Sequence, residues 1–581
     1  MSAFHLPQAR VVFSYMRDVV LSKVQEVVPG SFRDQVEVSV SESVEHGHYS
    51  TNVAFLIAKE EKKSPSDVAR VLAKKIEEAD SKNVFEKVDT AGAGFINFFL
   101  SKELLGETVK EILKKGEKFG QGRKKKETIV IEYSSPNIAK PLGVHHLRST
   151  IIGQALVDIL RFEGYKVVSL SFPGDWGTQF GLLIAGYKQW GDEKKIKAHP
   201  IDEMLRLYVK FSAAAKKNPK LLDEGRAEFK KLEDGDKENL KLWKWFLDES
   251  LQDFEKVYEF LGMKIENTIG ESYYEKELDG IVEDALKKGI AKKGDDESVV
   301  VSIPDSKTPE IIRKSDGATI YTTREVAAIR HRLKKWKADK ILYVAANQQT
   351  FHLAQVFRVA ELMGIARAKQ LGHVKFGMMF GPGGKKFATR EGRLIPLIDV
   401  LEDAVGRSRK VVDELNPKLS DSKKDEVAHA VGVGAVKFFD LSQNRKSDII
   451  FEWDKALSLK GSTAPYIQYT YARLKSILRK AGGGAKKFDI SLLKEPSEEF
   501  LIAQLLHFSE VVETAGNRYE PHIIAEYLLR LSEKINTFYQ AVPVLKAGGV
   551  LQESRLSLIL ASTIILKKGL NLLGIEAPEE M

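Results

Sequence analysis

Residues 128–160 read TIVIEYSSPNIAKPLGVHHLRSTIIGQALVDIL, and their pattern decides the fold. Thr128–Tyr133 is a short β-branched run, the composition of a buried strand. Pro136, Asn137, Pro141 and Gly143 then make a loop of Ser134–Gly143. A helix follows from near His145, with Leu147, Ile151, Ile152, Ala155, Leu156, Ile159 and Leu160 on one face. The alternation continues through a strand at Lys166–Phe172 and a loop, PGDWG, at Pro173–Gly177. Further on come a strand at Ile341–Ala345 and a helix at Phe351–Met363. Strand, helix, strand predicts an α/β fold with a Rossmann-like parallel sheet.

Around this centre the chain changes character. Residues 1–115 read as a small α+β domain, with helical spacing at Val11–Val28 and Ser66–Ala79 and strand-like runs at Val36–Val40 and Gly94–Leu100. The basic stretch Lys114–Lys126 reads as a solvated linker. Residues 128–420 form the expected sheet domain, interrupted by a charged, mostly helical insertion at about 190–305. Residues 423–581 read as an all-α helical bundle, crossed by the glycine run Gly482–Gly484. No internal repeat is evident.

At ~150 residues per domain, 581 residues give a prior of about four domains. Hydrophobic residues at 43% and charged residues at 29% exclude a disordered or fibrous chain. The net charge of +9 permits a polyanionic partner without demanding one. The chain has no cysteine, which excludes disulfides, thiolate zinc sites, iron–sulfur clusters and a cysteine nucleophile. No secretory signal and no membrane span are expected, and a cytoplasmic location is.

Three constellations carry chemistry. First, a helix N-terminus near His145 offers free N–H groups and a positive dipole end to a phosphate. Lys140, His145 and His146 stand beside it. An isolated histidine pair more often caps and packs a surface helix, but the strand–loop–helix context and Lys140 favour the phosphate. Second, Gly381–Gly392, GPGGKKFATREG, sets cations among flexible glycines, as a loop closing over phosphates does. Third, the Tyr and Arg residues of Ala464–Lys480 alternate along one helix, where they can stack on RNA bases or simply form half-buried core.

The run SSPNIAKP…HLRSTIIG resembles the class I arginyl-tRNA synthetases. In that family residues 143–146 are usually His-x-Gly-His; here they are Gly143-Val144-His145-His146. Lys386-Phe387-Ala388-Thr389-Arg390 resembles the family's KMSKS loop, with Thr389 in place of the second lysine. A lysine just upstream of the first motif compensates in the family, and Lys140 stands there. The resemblance spans about residues 10–581 and includes the PGDWGTQFG segment, the GHYSTNVA and GFINFF runs and the NLLGIEAPEEM ending.

The resemblance implies arginine–tRNA ligation: ATP-dependent activation of L-arginine to arginyl-adenylate, then transfer to the 3′ end of tRNA(Arg). It implies catalytic roles for Lys140, His145, His146, Lys386 and Arg390. Gly143, His145, His146, His373, Val374, Phe376 and Lys386 would bind ATP. A guanidinium is a planar fork of donors that asks for carboxylates and amide oxygens. Glu132, Ser135, Asn137, His146, Tyr321, Glu325 and Gln349 match the family's arginine-binding positions, with Glu325 where Asp is usual. Asn97, Tyr469, Arg473, Tyr539 and Met581 would contact tRNA, and Trp176 and Gly177 would shape the pocket wall. Magnesium is expected to arrive with ATP rather than on protein ligands, and a monomer is expected. The rival reading is a catalytically impaired tRNA-binding relative with an altered first motif.

Overall fold

The computed structural model describes residues 16–41, 44–304, 306, 308–384, 395–483 and 487–581. It divides into two compact units. The first comprises Lys124–Leu457 with Leu572–Ile575, the second Met1–Arg123, Ser458–Asn571 and Glu576–Met581.

The first unit is built on a five-stranded sheet: β1 (Thr128–Glu132), β2 (Lys166–Ser171), β3 (Asn267–Thr268), β4 (Lys340–Ala346) and β5 (Leu371–Phe376). Their order is β5-β4-β1-β2-β3 and every pairing is parallel. All five residues of β1 are buried, as its central place and its β-branched sequence require. Helix α1 (Leu147–Phe162) carries β1 to β2, α2 (Tyr321–Trp336) precedes β4, and α3 (Thr350–Leu362) joins β4 to β5. Val130, Val168, Leu170, Ile281, Val326, Ile329, Ile341 and Val356 share one hydrophobic core. Burying each such side chain contributes about 1.5–3 kcal/mol. The strand order reverses between β1 and β4, and a doubly wound sheet opens its ligand crevice at that point, beyond the carboxyl ends of the strands.

The expected insertion at 190–305 is shorter than its composition suggests. The helices Glu193–Ala198, Pro200–Lys217, Pro219–Glu233 and Lys237–Phe260 leave the sheet, but β3 then returns to pair with Leu170 and Ser171. The helix Glu275–Lys287 puts Leu278, Ile281, Val282 and Ala285 into the central core. A small antiparallel sheet follows, ordered Glu310–Arg313, Val299–Val301, Ala291–Lys293. A two-residue strand has no readable period, so only pairing reveals it. The boundary expected at 420–423 also differs: the helix Asp421–Leu441 belongs to the sheet-bearing unit, which runs to Leu457.

In the second unit, an antiparallel sheet ordered Val38–Val40, Tyr49–Thr51, Phe95–Leu100, Phe85–Ala91 shares a contact unit with the C-terminal helices. The Tyr49 hydroxyl donates to Glu510 Oε1 at 2.7 Å, and Arg17 pairs with Glu513 at 2.9 Å. The C-terminal helices are Ala464–Lys480, Pro496–Leu506, Phe508–Arg518, His522–Ala541 and Gly549–Leu572. Among the described residues only Gly549–Leu572 is long and apolar enough to cross a membrane, and 61% of its apolar window is buried inside the fold.

Candidate active site

The loop after β1 is fastened at the switch point. Ser134 and Ala139 take left-handed backbone angles, φ +50° and +61°, costly for residues with a Cβ and so held by their surroundings. Ser134 N donates to Ser149 Oγ at 3.1 Å, and Ser149 Oγ donates to Val344 O of β4 at 2.7 Å. Thr150 Oγ1 donates to Ser134 Oγ at 2.8 Å. One serine at the start of α1 thus ties the ends of β1 and β4 together. Arg148 beside it is buried; its Nε reaches both Asp440 oxygens at 3.0–3.1 Å and its Nη1 reaches Gly377 O and Ser447 O at 2.7 and 2.9 Å.

The Gly143–His146 turn forms the lip of this crevice. Gly143 N donates to His146 Nδ1 at 3.1 Å, so the neutral imidazole carries its proton on Nε2. Burial, helped by the neighbouring His145, pushes the His146 pKa down to about 3, so the ring is neutral at physiological pH. His145 lies against it with ring centroids 3.8 Å apart, and partial burial lowers its pKa too. A Cβ on residue 143 would lie 2.7 Å from the Nδ1 and Cε1 of His145. The bare Gly143 therefore makes the space that the His145 ring fills. The chain around Pro396 joins the same turn: Val144 N donates to Ile395 O at 3.1 Å and Leu397 N to Leu142 O at 2.7 Å. The basic-loop residues Lys386, Thr389 and Arg390 lie outside the described residues. Lys140 Nζ sits 5.0 Å from the centre of the Tyr208 ring.

A cluster of buried acidic side chains lies at the same end of the sheet. Glu132 ends β1, and Glu325 lies in the first turns of α2. Burial raises the Glu325 pKa to about 8, with the Glu132 charge adding to the effect. Burial also raises Glu132, opposed by the nearby Arg332 guanidinium and the Ser135 hydroxyl. Glu271 is raised to about 7, chiefly by burial, and hydrogen-bonds the Tyr321 hydroxyl. Glu271 and Arg332 are not among the site residues expected from the sequence. Arg332 is fully buried, its Nη1 2.5 Å from Glu132 Oε2 and 2.9 Å from the Tyr343 hydroxyl. It falls at i+7 from Glu325 on the buried stripe of α2, but the cations around it in Arg330–Lys335 hide that period in the sequence.

The other expected residues are placed unequally. Ser135 Oγ accepts from Phe172 N at 3.0 Å. Asn137 is exposed and bridges to Gly174 of the PGDWG loop. Gln349 is exposed at the end of a 3₁₀ turn after β4. His373 is half-buried, its Nε2 3.0 Å from Ala345 O. Val374 and Phe376 are buried, with Phe376 facing Arg148, so they offer a ligand little side-chain surface. Trp176 packs edge-on against Trp243 and Phe229 of the helical excursion. In the second unit Tyr469 and Tyr539 are exposed on either side of Arg473, whose guanidinium lies 4.8 and 5.9 Å from their rings. The C-terminal tail lies along the same helix, with Lys475 paired to Glu579 at 2.9 Å and Met581 half-exposed at its end. Asn97 is only 5% exposed, mid-sheet between Ser50 and Asp89, which leaves it little surface for a contact.

Three family descriptions match the chain: "tRNA synthetases class I (R), catalytic domain" over residues 108–453, "DALR anticodon binding domain" over 467–581, and "Arginyl tRNA synthetase N terminal domain" over 14–100. The arginine–tRNA ligase of Lactococcus lactis subsp. cremoris (strain SK11) is 42% identical over 531 residues, covering 91% of this chain and 93% of that protein. That of Clostridium kluyveri is 41% identical over 550 residues, covering 94% and 96%. The solved structure of Thermus thermophilus arginyl-tRNA synthetase superposes with a TM-score of 0.82 at 25% identity, covering 98% of this chain and 100% of that one.

Proposed function

The chain belongs to the class I arginyl-tRNA synthetases, and from that premise we propose how its residues divide the reaction. The reaction is the ATP-dependent activation of arginine and its transfer to tRNA. The catalytically impaired alternative finds no support in these likenesses.

Two buried carboxyl groups at the switch point, Glu132 and Glu325, carry the assignment of the arginine site. Glu132 is already paired with Arg332, so an apolar or neutral amino acid would leave Glu325 buried and unmatched, and a substrate guanidinium supplies the missing cation. Tyr321 and Glu271 flank that end. Asn137, Gln349 and His146 serve the α-amino and carboxylate end. The carboxylate oxygen then attacks the α-phosphorus of ATP, and the bond to pyrophosphate breaks. Charge develops on the phosphoryl oxygens beside Lys140, His145 and the Nε2–H of His146, where fixed donors lower the barrier. Lys386 and Arg390 of the basic loop complete the set. A hydroxyl of the terminal ribose next attacks the activated carbonyl carbon, and AMP leaves. Tyr469, Arg473 and Tyr539 offer stacking faces and a cation to RNA.

Magnesium on this reading travels with the ATP phosphates. A cytoplasmic location and action as a monomer complete the proposal; light scattering of the purified protein tests the second. The activity itself is tested by aminoacylation with each amino acid and total tRNA, and by ATP–pyrophosphate exchange with and without tRNA. Charging of lysine or citrulline in preference to arginine would overturn the pocket assignment.

A further inference from the structure

The acidic pocket already contains a guanidinium. Arg332 is 0% exposed and is held on three sides. Its Nη1 is 2.5 Å from Glu132 Oε2 and donates to Tyr343 Oη at 2.9 Å. Its Cζ lies 5.0 Å from the Phe172 ring and 5.4 Å from the Tyr343 ring. A buried charge of this kind is stable only when paired. Glu132 answers it, which leaves the second carboxyl group, Glu325, without a cation of its own. Glu325 Oε2 is buried and makes no hydrogen bond, and the same is true of Arg332 Nε and Nη2, while Glu132 Oε2 meets Arg332 only as an ion pair. The pocket thus holds two acids, one fixed guanidinium and a set of unmet hydrogen bonds.

We propose that Arg332 is a resident counter-cation that commits Glu132 to a structural ion pair and leaves Glu325 to meet the substrate guanidinium. This rests on the arginine pocket proposed above. Arg332 is then a positioning residue: it sets the number of cations the pocket can accept to one and holds Glu132 in a single orientation. The groups that act on Glu325 are Glu132 on β1, Glu271 on the turn before the helix Glu275–Lys287, and Arg332 on its own helix. Glu325 is felt in turn by Tyr274, Tyr321 and Tyr343. Burial among these groups keeps Glu325 protonated at neutral pH in the free protein, with a pKa of about 8. An arriving guanidinium favours the carboxylate, so arginine binding expels a proton.

Titration calorimetry of the full chain with L-arginine, in buffers of low and high ionisation enthalpy, reads that proton. At pH 7 most of one proton is expected to be released per arginine, and the release falls toward zero as the pH rises above 8. Glu325→Gln abolishes the release, and Arg332→Lys retains it. Arg332→Met leaves both acids without a fixed cation, so the release rises above one and the KM for arginine shifts. A mere packing role for Arg332 would lower the stability of both variants and leave the proton count unmoved, which overturns the proposal. Should Arg332→Met fail to fold, the unmodified chain decides. Binding without proton release at pH 7, or a release that survives Glu325→Gln and vanishes in Glu132→Gln, refutes the division of roles. No arginine binding at all, or affinity indifferent to both acids, refutes the pocket reading beneath it.

Discussion

Gly143→Ala is the sharpest probe of the His145 imidazole. The added Cβ would lie 2.7 Å from two atoms of that ring, where ordinary contact begins at 3.4 Å. The ring must retreat by about 0.7 Å or more. It stands on the solvent side of the turn while Gly143 itself is buried, so the ring yields and the backbone keeps its bond to His146 Nδ1. The cost to folding is therefore small, under about 1 kcal/mol. The cost to chemistry is larger. Moving one preorganised donor by such a distance lowers a rate by about 100-fold, or about 2.7 kcal/mol of barrier. The assay is ATP–pyrophosphate exchange in the presence of tRNA, with thermal unfolding measured alongside. Returning an imidazole to position 143 and a glycine to position 145 gives the second half of the test. Gly143→His and His145→Gly are each expected to be impaired and the double variant to recover, a coupling that single effects cannot mimic. An unchanged exchange rate in Gly143→Ala, or a double variant as poor as the sum of the singles, would show that the His145 imidazole takes no part in activation.

Other consequences follow from the same geometry. Because the protonated Glu325 cannot pair with a cation, the KM for arginine should fall about tenfold between pH 7 and pH 9, as steady-state kinetics will show. The folded pKa of Glu325, about 8, lies above its unfolded value, so the folded state binds the extra proton and its contribution to stability is lost as pH rises through 8; denaturant melts across pH 5–9 read the sign. Asp440→Asn strips the buried Arg148 of its charge partner and should destabilise the sheet-bearing unit by about 3–5 kcal/mol in urea titrations. Tyr539→Ala should weaken tRNA binding by about 1–3 kcal/mol in filter assays, while Arg473→Ala should also flatten its salt dependence.

The parallel sheet was legible because Ile129, Val130 and Ile131 form an unbroken apolar run and Leu147–Leu160 keep a helical period. The edge strand Phe85–Ala91 was not, since Glu86, Lys87 and Asp89 make it look like a charged loop; pairing with Phe95–Leu100 defines it. Asn267–Thr268 and the helix Asp421–Leu441 were placed by tertiary contact that no local pattern records. The site divides in the same way. Glu132 and Glu325 were visible as acids at strand and helix ends. Arg332 was not, because RHRLKKW reads as a solvated basic face, and only burial against Phe172 and Tyr343 separates that arginine from its neighbours. The exchange of Gly143 and His145 was visible as a departure from the family pattern, but its meaning depends on a distance.

On this mechanism the acidic cluster at the β1/β4 switch point selects arginine for attachment to tRNA. Aminoacylation of total tRNA with each amino acid, comparing the unmodified chain with Glu325→Gln, tests it most directly. Charging with arginine alone is expected, together with a large rise in the arginine KM and little change in tRNA affinity in the variant. Charging of another amino acid, or an arginine KM untouched by Glu325→Gln, would contradict it.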